Sequence, residues 1–263
     1  MNFNHLPKKP KIALIPLFNL DLGIRYISSY LKSKGYSTDI ISFGQLRTLQ
    51  EIHLNNYVSS RPLRSPPYSI KSVQLLLDLL ASLKPDLVGI NVSSTTFSTA
   101  SILTQKIKER FPIPIVWGGI HPTICPEDCI QEADIVCVGE GEYPMHELLQ
   151  RLEDNAEITA IKNLWIKHSD GSIEKNELRD LILDLDSLPY PDFIARGNKF
   201  YIDRGQLIAD PDIFYSSMKK VYGIMSSRGC HFDCSFCCNN ALKMIYKDKG
   251  PYLRRRSPEN VVE

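Results

Sequence analysis

The feature that most limits this chain's fold is an alternation, over its first 150 residues, of short apolar runs with longer amphipathic segments. The run Lys11-Ile-Ala-Leu-Ile15 is too short for a helix and apolar enough for a strand covered on both faces. After Pro16, residues 24–34 place Ile24, Ile27 and Leu31 at helical spacing, and Gly35 stands where a helix would stop. The same logic predicts strands over 37–43, 87–91, 113–117 and 134–138, and helices over 70–83, 99–110 and 144–153. Residues 45–68 show turn chemistry around Pro62, Pro66 and Pro67. Strands alternating with helices predict an α/β fold, a doubly wound parallel sheet with right-handed crossovers. Ligands of such sheets bind beyond the carboxyl ends of the strands, near a reversal of strand order. That directs attention to the turns 16–23, 91–96, 118–122 and 139–142. They carry Gly23, Ser93, Gly118, Gly119, His121, Gly139, Glu140 and Gly141.

Beyond residue 150 the character changes. Leu164-Trp-Ile-Lys167, Ser169-Asp170-Gly171 and the residues after them predict a hairpin with an Asp-Gly turn. Pro189 and Pro191 mark 185–192 as an extended linker. The expected organisation is a domain over 1–150, a linker with a small hairpin over 151–220, and a third segment over 221–263. In the last, a strand over 222–226 runs into a cysteine cluster. The Arg254-Arg255-Arg256 run is expected on a solvated face.

The net charge of +1 selects no nucleic acid or acidic partner. The first ten residues lack the apolar core of a signal peptide, and no apolar stretch approaches a membrane span. A reducing cytoplasm is therefore expected, where seven cysteines point to thiols or metal ligands rather than disulfides. Four of the seven lie between Cys230 and Cys238.

Within that stretch, Cys230-His-Phe-Asp-Cys234-Ser-Phe-Cys237 puts three thiols on one short loop. Three cysteines on a [4Fe–4S] cluster leave one iron open to a small molecule. Gly229 lets the backbone pass close by. A structural zinc site needs a fourth ligand, for which Cys238 and His231 are awkwardly placed and no second Cys-x-x-Cys pair exists. Three unrelated buried cysteines are the remaining alternative.

This spacing resembles the radical S-adenosylmethionine superfamily, whose hallmark is Cys-x3-Cys-x2-Cys after the first strand of a partial (β/α) barrel. Ser226-Ser227-Arg228-Gly229 before the cluster and Phe236 within it match as well. The resemblance implies Cys230, Cys234 and Cys237 as cluster ligands, Phe236 near the adenine of S-adenosylmethionine, and reductive cleavage of that cofactor. It implies an electron donor such as flavodoxin or ferredoxin. Cys238 matches no ligand position.

Residues 11–150 resemble the Rossmann/flavodoxin-like cobalamin-binding domain that precedes the radical domain in one subgroup. The matching motifs are Leu22-Gly23-Ile24-Arg25-Tyr26, Gly118-Gly119-Ile120-His121-Pro122 and Val138-Gly139-Glu140-Gly141-Glu142. Domains that ligate cobalt through histidine carry Asp-x-His-x-x-Gly; with Gly23 as the glycine, Phe18 and Leu20 replace the Asp and His. The resemblance thus implies cobalamin without that histidine, or a lost cofactor. His121 either approaches the ligand or holds a turn. Glu140 and Glu142 either bind a polar tail or cap the following helix. Cys125, Cys129 and Cys137 lack ligand spacing as a set.

The function expected is that of the amino-terminal part of a cobalamin-dependent radical enzyme, a methyltransferase or cyclase. With 25 residues after Cys238 (263 − 238), the barrel is expected to be cut short and the chain inactive alone. A cobalamin-binding module without catalysis and a zinc-stapled regulatory protein are the alternatives.

Overall fold

The computed structural model of the chain describes residues 9–17, 21–44, 69–193, 198–203, 205–208 and 223–262. The region 45–68, with Phe18 and Leu20, lies outside the described residues. In chain order the first elements are β1 (Lys11–Pro16), α1 (Leu22–Ser33), β2 (Ser37–Phe43), α2 (Ile70–Leu83), β3 (Leu87–Asn91) and α3 (Phe97–Arg110). Then come β4 (Ile115–Gly118), α4 (Ile120–Ile124), α5 (Pro126–Glu132), β5 (Ile135–Cys137) and α6 (Glu142–Glu153). Strands β6 (Leu164–Lys167), β7 (Ile173–Lys175), β8 (Lys199–Asp203) and β9 (Gln206–Ile208) follow. The last part holds β10 (Ser227–Arg228), α7 (Asn239–Ile245), β11 (Arg254–Arg255) and α8 (Pro258–Val262).

The sheet has nine strands in the order β7-β6-β5-β4-β3-β1-β2-β8-β9. Its six central strands, β5 to β8 in that order, run parallel. Because β2 and β3 flank β1 on opposite sides, the strand order reverses between β1 and β3. Successive residues of each strand face opposite layers. Ala13, Ile15, Val88, Ile90 and Trp117 pack with Leu76, Leu80, Leu103, Ile107 and Ile130 of α2, α3 and α5. Ile12, Leu14, Leu87, Val116 and Ile135 pack with Ile24, Leu31, Leu148 and Leu152 of α1 and α6. Double burial explains why these strands read as continuous apolar runs.

Buried within the first layer, Trp117 Nε1 donates to Thr104 Oγ1 at 2.9 Å. Replacing Thr104 with valine keeps the shape and orphans the indole N–H, so a loss of about 1–3 kcal/mol is expected in urea denaturation.

Predicted and observed elements agree closely, with instructive differences. Helix α6 begins at Glu142 rather than 144, because Pro144 is tolerated in a first turn, where its missing N–H has no intrahelical partner. The short helices α4 and α5 were not expected; Pro126 starts the latter at its first turn. The strand expected over 222–226 is not found in its described residues 223–226; the chain becomes strand only at Ser227–Arg228, where β11 supplies a partner. The predicted hairpin forms, but it is no appendage: β6 pairs antiparallel with β5. On the other side β8 joins β2 in parallel and β9 folds back on it. The segment read as a linker thus widens the sheet at both sides.

The crossing between β7 and β8 is pinned by Asp192. Its carboxylate accepts from Lys199 Nζ at 2.8 Å, Lys32 Nζ at 2.6 Å and Ser28 Oγ at 2.7 Å. Its carbonyl accepts from Arg25 Nη1 at 2.9 Å.

Candidate functional site

The register brings Pro16, Asn91 and Gly118 level at the carboxyl ends of β1, β3 and β4. Beyond this row, at the reversal of strand order, lies a cavity of about 170 Å³. Gly23, Gly118, Gly119, Gly139, Glu140 and Gly141 all line it. Gly119 is held at φ 106°, and a Cβ there would sit 2.0 Å from Asn91 Oδ1 and 2.9 Å from the Val92 carbonyl. Any other residue would push the turn outward. Asn91 donates to the Asp21 carboxylate, which also caps α1 by accepting from the Ile24 N–H. Burial raises the pKa of Asp21 despite these donors.

Two of the residues singled out lie outside the cavity lining. Ser93 forms a local cap, its N–H donating to Thr96 Oγ1 at 2.9 Å. His121 pairs through Nδ1 with Ser94 Oγ at 3.0 Å and meets the Phe97 ring edge-on at 5.1 Å. Cys137 does line the cavity, but burial pushes its thiol up to about 12. Burial does the same to Cys129.

Glu140 and Glu142 have a role that neither sequence alternative contained. Glu140 accepts from Arg228 Nη1 at 3.0 Å, from Arg254 Nη1 at 2.9 Å and from the Ile182 N–H at 2.9 Å. Glu142 accepts from Arg228 Nη2. Burial opposes the Arg228 charge, but Glu142 and Glu140 more than offset it and raise its pKa. Arg228 and Arg254 face each other across the antiparallel pair β10–β11. The arginine run is therefore not a solvated face: Arg254 and Arg256 are buried, and Arg255 alone is exposed. Arg256 donates to the Leu188 carbonyl at 3.1 Å and lies over the Tyr26 ring at 5.4 Å. No local pattern in the sequence signals this network, whose arginines lie 88 and 114 residues from Glu140.

Cys230, Cys234 and Cys237 follow on a loop that starts two residues past Arg228. All are free; Cys234 is exposed and the other two are half-buried. The Cys237 N–H donates to the Cys234 carbonyl at 3.0 Å, and Asn240 Nδ2 donates to the same oxygen at 2.8 Å. Backbone and side-chain hydrogen bonds from Asn239 lower the pKa of the Cys237 thiol. Among the described residues, no three His, Cys, Asp or Glu side chains converge as a ready-made metal site. The thiols share a loop rather than a closed ligand sphere, a donor set whose chemistry suits a thiolate-held cluster. Phe236 is 92% exposed. Behind the loop, Tyr246 packs its hydroxyl over Gly139.

Fold and site together define a doubly wound ligand-binding domain with a cysteine-bearing segment docked on its carboxyl edge. Residues 12–149 match the B12 binding domain, and the chain belongs to that family. It is 29% identical over 192 residues to an uncharacterised methyltransferase of Pyrococcus horikoshii, covering 70% of this chain and 37% of that protein. It is 27% identical over 237 residues to the anaerobic magnesium-protoporphyrin IX monomethyl ester cyclase of Rubrivivax gelatinosus, covering 87% and 36%. The chain thus spans little more than a third of these relatives. Its fold is similar to that of OxsB, a cobalamin-dependent S-adenosylmethionine radical enzyme solved with aqua-cobalamin and S-adenosylmethionine (TM-score 0.65, 17% identity, 97% of this chain and 31% of that one). It is also similar to the radical S-adenosylmethionine methyltransferase TsrM of Kitasatospora setae (TM-score 0.63, 15% identity, 97% and 44%). The resemblance to cobalamin-binding radical S-adenosylmethionine proteins stands. No helix among the described residues is long and apolar enough to cross a membrane.

Proposed function

We propose that this chain gathers the cofactors of a cobalamin-dependent radical S-adenosylmethionine enzyme of methyltransferase or cyclase type. The observation that carries this reading is the docking of the cysteine loop, through Arg228 and Arg254, onto the edge where the glycine-lined cavity opens. Gly23, Gly118, Gly119, Gly139 and Gly141 line the wall offered to a large flat cofactor; Gly23 and Gly118 leave backbone bare, Asn91, Tyr246 and Ile27 pack against the other three, and Glu140 stands between the last two. Cys230, Cys234 and Cys237 are the residues that would hold a [4Fe–4S] cluster, with exposed Phe236 available to an adenine ring. When bound, the cluster supplies the electron that cleaves the sulfonium of S-adenosylmethionine, and cobalamin supplies alkyl transfer. The exposed loop leaves these thiols open to cluster assembly and to an electron donor of flavodoxin or ferredoxin kind. Buried Cys129 and Cys137, raised to about 12, stay protonated and do not compete for iron. A reducing, cytoplasmic setting suits seven free cysteines.

Anaerobic reconstitution with iron and sulfide is expected to load about four irons per chain, and none in the variant with all three loop cysteines replaced by alanine. Titration with hydroxocobalamin is expected to shift its visible spectrum. A stable complex with one zinc would overturn the cluster, and an unchanged cobalamin spectrum would overturn the cavity's role.

A further inference from the structure

We infer that Arg228 is a positioning residue: it sets the cysteine loop against the cavity so that filling the cavity and loading the loop favour each other. The inference rests on the site reading above and adds a coupling to it.

Three observations meet at this side chain. Arg228 itself lines the cavity, together with its two partners Glu140 and Glu142. Those carboxylates stand at the carboxyl edge, between Gly139 and the first turn of α6. The arginine backbone belongs to β10, whose next residues are Gly229 and Cys230. On the paired strand, Arg254 reaches the same Glu140 and also donates to the Ile182 carbonyl at 2.9 Å. Both strands that bracket the cysteine loop are thus fastened to one cavity-lining carboxylate. A ligand pressing on Glu140 or Glu142 shifts guanidinium groups attached to the loop, and a loop drawn inward by a metal centre shifts the same carboxylates. Two sites that bias one shared element are coupled reciprocally. Part-buried, charge-assisted hydrogen bonds give this element defined geometry rather than slack.

The test measures the affinity of the full chain for cyanocobalamin, whose cyanide keeps the exposed thiols off the cobalt, with and without reconstituted cluster. Wild type is expected to bind at least about fivefold tighter when the cluster is present, the lower end of ordinary coupling. In Arg228→Met that ratio, taken against the variant's own cluster-free affinity and corrected for its iron content, is expected to fall within about twofold of unity. Arg228→Lys, able to hold one carboxylate but not both, is expected to give an intermediate ratio. Glu142→Met leaves Arg228 paired with Glu140 and is expected to lower the ratio as well, so it carries the test if Arg228→Met misfolds by circular dichroism. A purely structural arginine would change stability and leave the ratio untouched; an unchanged ratio in both variants, or no coupling in wild type, overturns the inference. Wild type that binds no cyanocobalamin, or takes up no iron, overturns instead the site reading beneath it.

Discussion

Replacing Asp192 with alanine is expected to lower the free energy of unfolding by about 3–5 kcal/mol, measured by urea denaturation. The carboxylate is 5% exposed and faces Lys199, which is 1% exposed, with Lys32 and Ser28 completing its hydrogen bonds. Deleting it takes from Lys199 and Lys32 the carboxylate to which both donate. Burial alone would raise the Asp192 pKa, but the hydrogen bonds from Lys199, Lys32 and Ser28 outweigh it and the value lies below the ordinary one. Lys199 is displaced in the sense opposite to simple pairing: burial outweighs its bond to Asp192 and lowers its pKa. A depressed carboxylate contributes stability that is present above its unfolded pKa of about 3.9 and is lost as pH falls through the folded value. Asp192→Asn is therefore expected to flatten the acid limb of the stability profile as well as to lower it at neutral pH.

The second large effect is expected at Gly229. This residue has φ 87°, and a Cβ on it would lie 2.0 Å from the Tyr252 carbonyl oxygen and 2.7 Å from its carbon. The obstacle is backbone of the segment leading into the partner strand, which cannot rotate aside as a side chain would. Gly229→Ala must therefore part β10 from β11, beyond the about 1–2 kcal/mol that a left-handed alanine costs. The expected outcome is a severalfold loss of iron uptake on reconstitution, with hydrogen exchange faster over 226–257. Exchange in β1, β3 and β4 should stay unchanged. Wild-type iron content in this variant would show that the strand pair does not govern the loop.

Much of this architecture was legible because burial writes itself into sequence. The strands 37–43 and 87–91 and the helix 70–83 were bounded to the residue, since both-sided burial and Ser69 capping leave strong local marks. The cavity glycines are legible from the sheet rule and the motif resemblance, because each stands at or just past a strand's carboxyl end. What local pattern could not convey was partnership across distance. Nothing near Glu140 announces Arg228 or Arg254, which lie 88 and 114 residues away. The same blindness made a buried, hydrogen-bonded arginine pair look like a solvated charge run. Short α4 and α5 escaped because helices of five and seven residues carry too little periodicity. Strands β8 and β9 escaped because they owe their form to β2, far earlier in the chain.

The sheet's width has a practical consequence. From β7 to β8 the chain crosses seven strand spacings, roughly 34 Å, over the carboxyl edge. On the way it touches Glu140 through Ile182, Arg256 through Leu188, and α1 through Asp192. Cutting the polypeptide at residue 150 would remove β6 and β8 and leave β5 and β2 with a row of unpaired N–H and C=O groups each. Such raw borders recruit other strands, so the excised piece would aggregate rather than behave as an independent carrier of cobalamin.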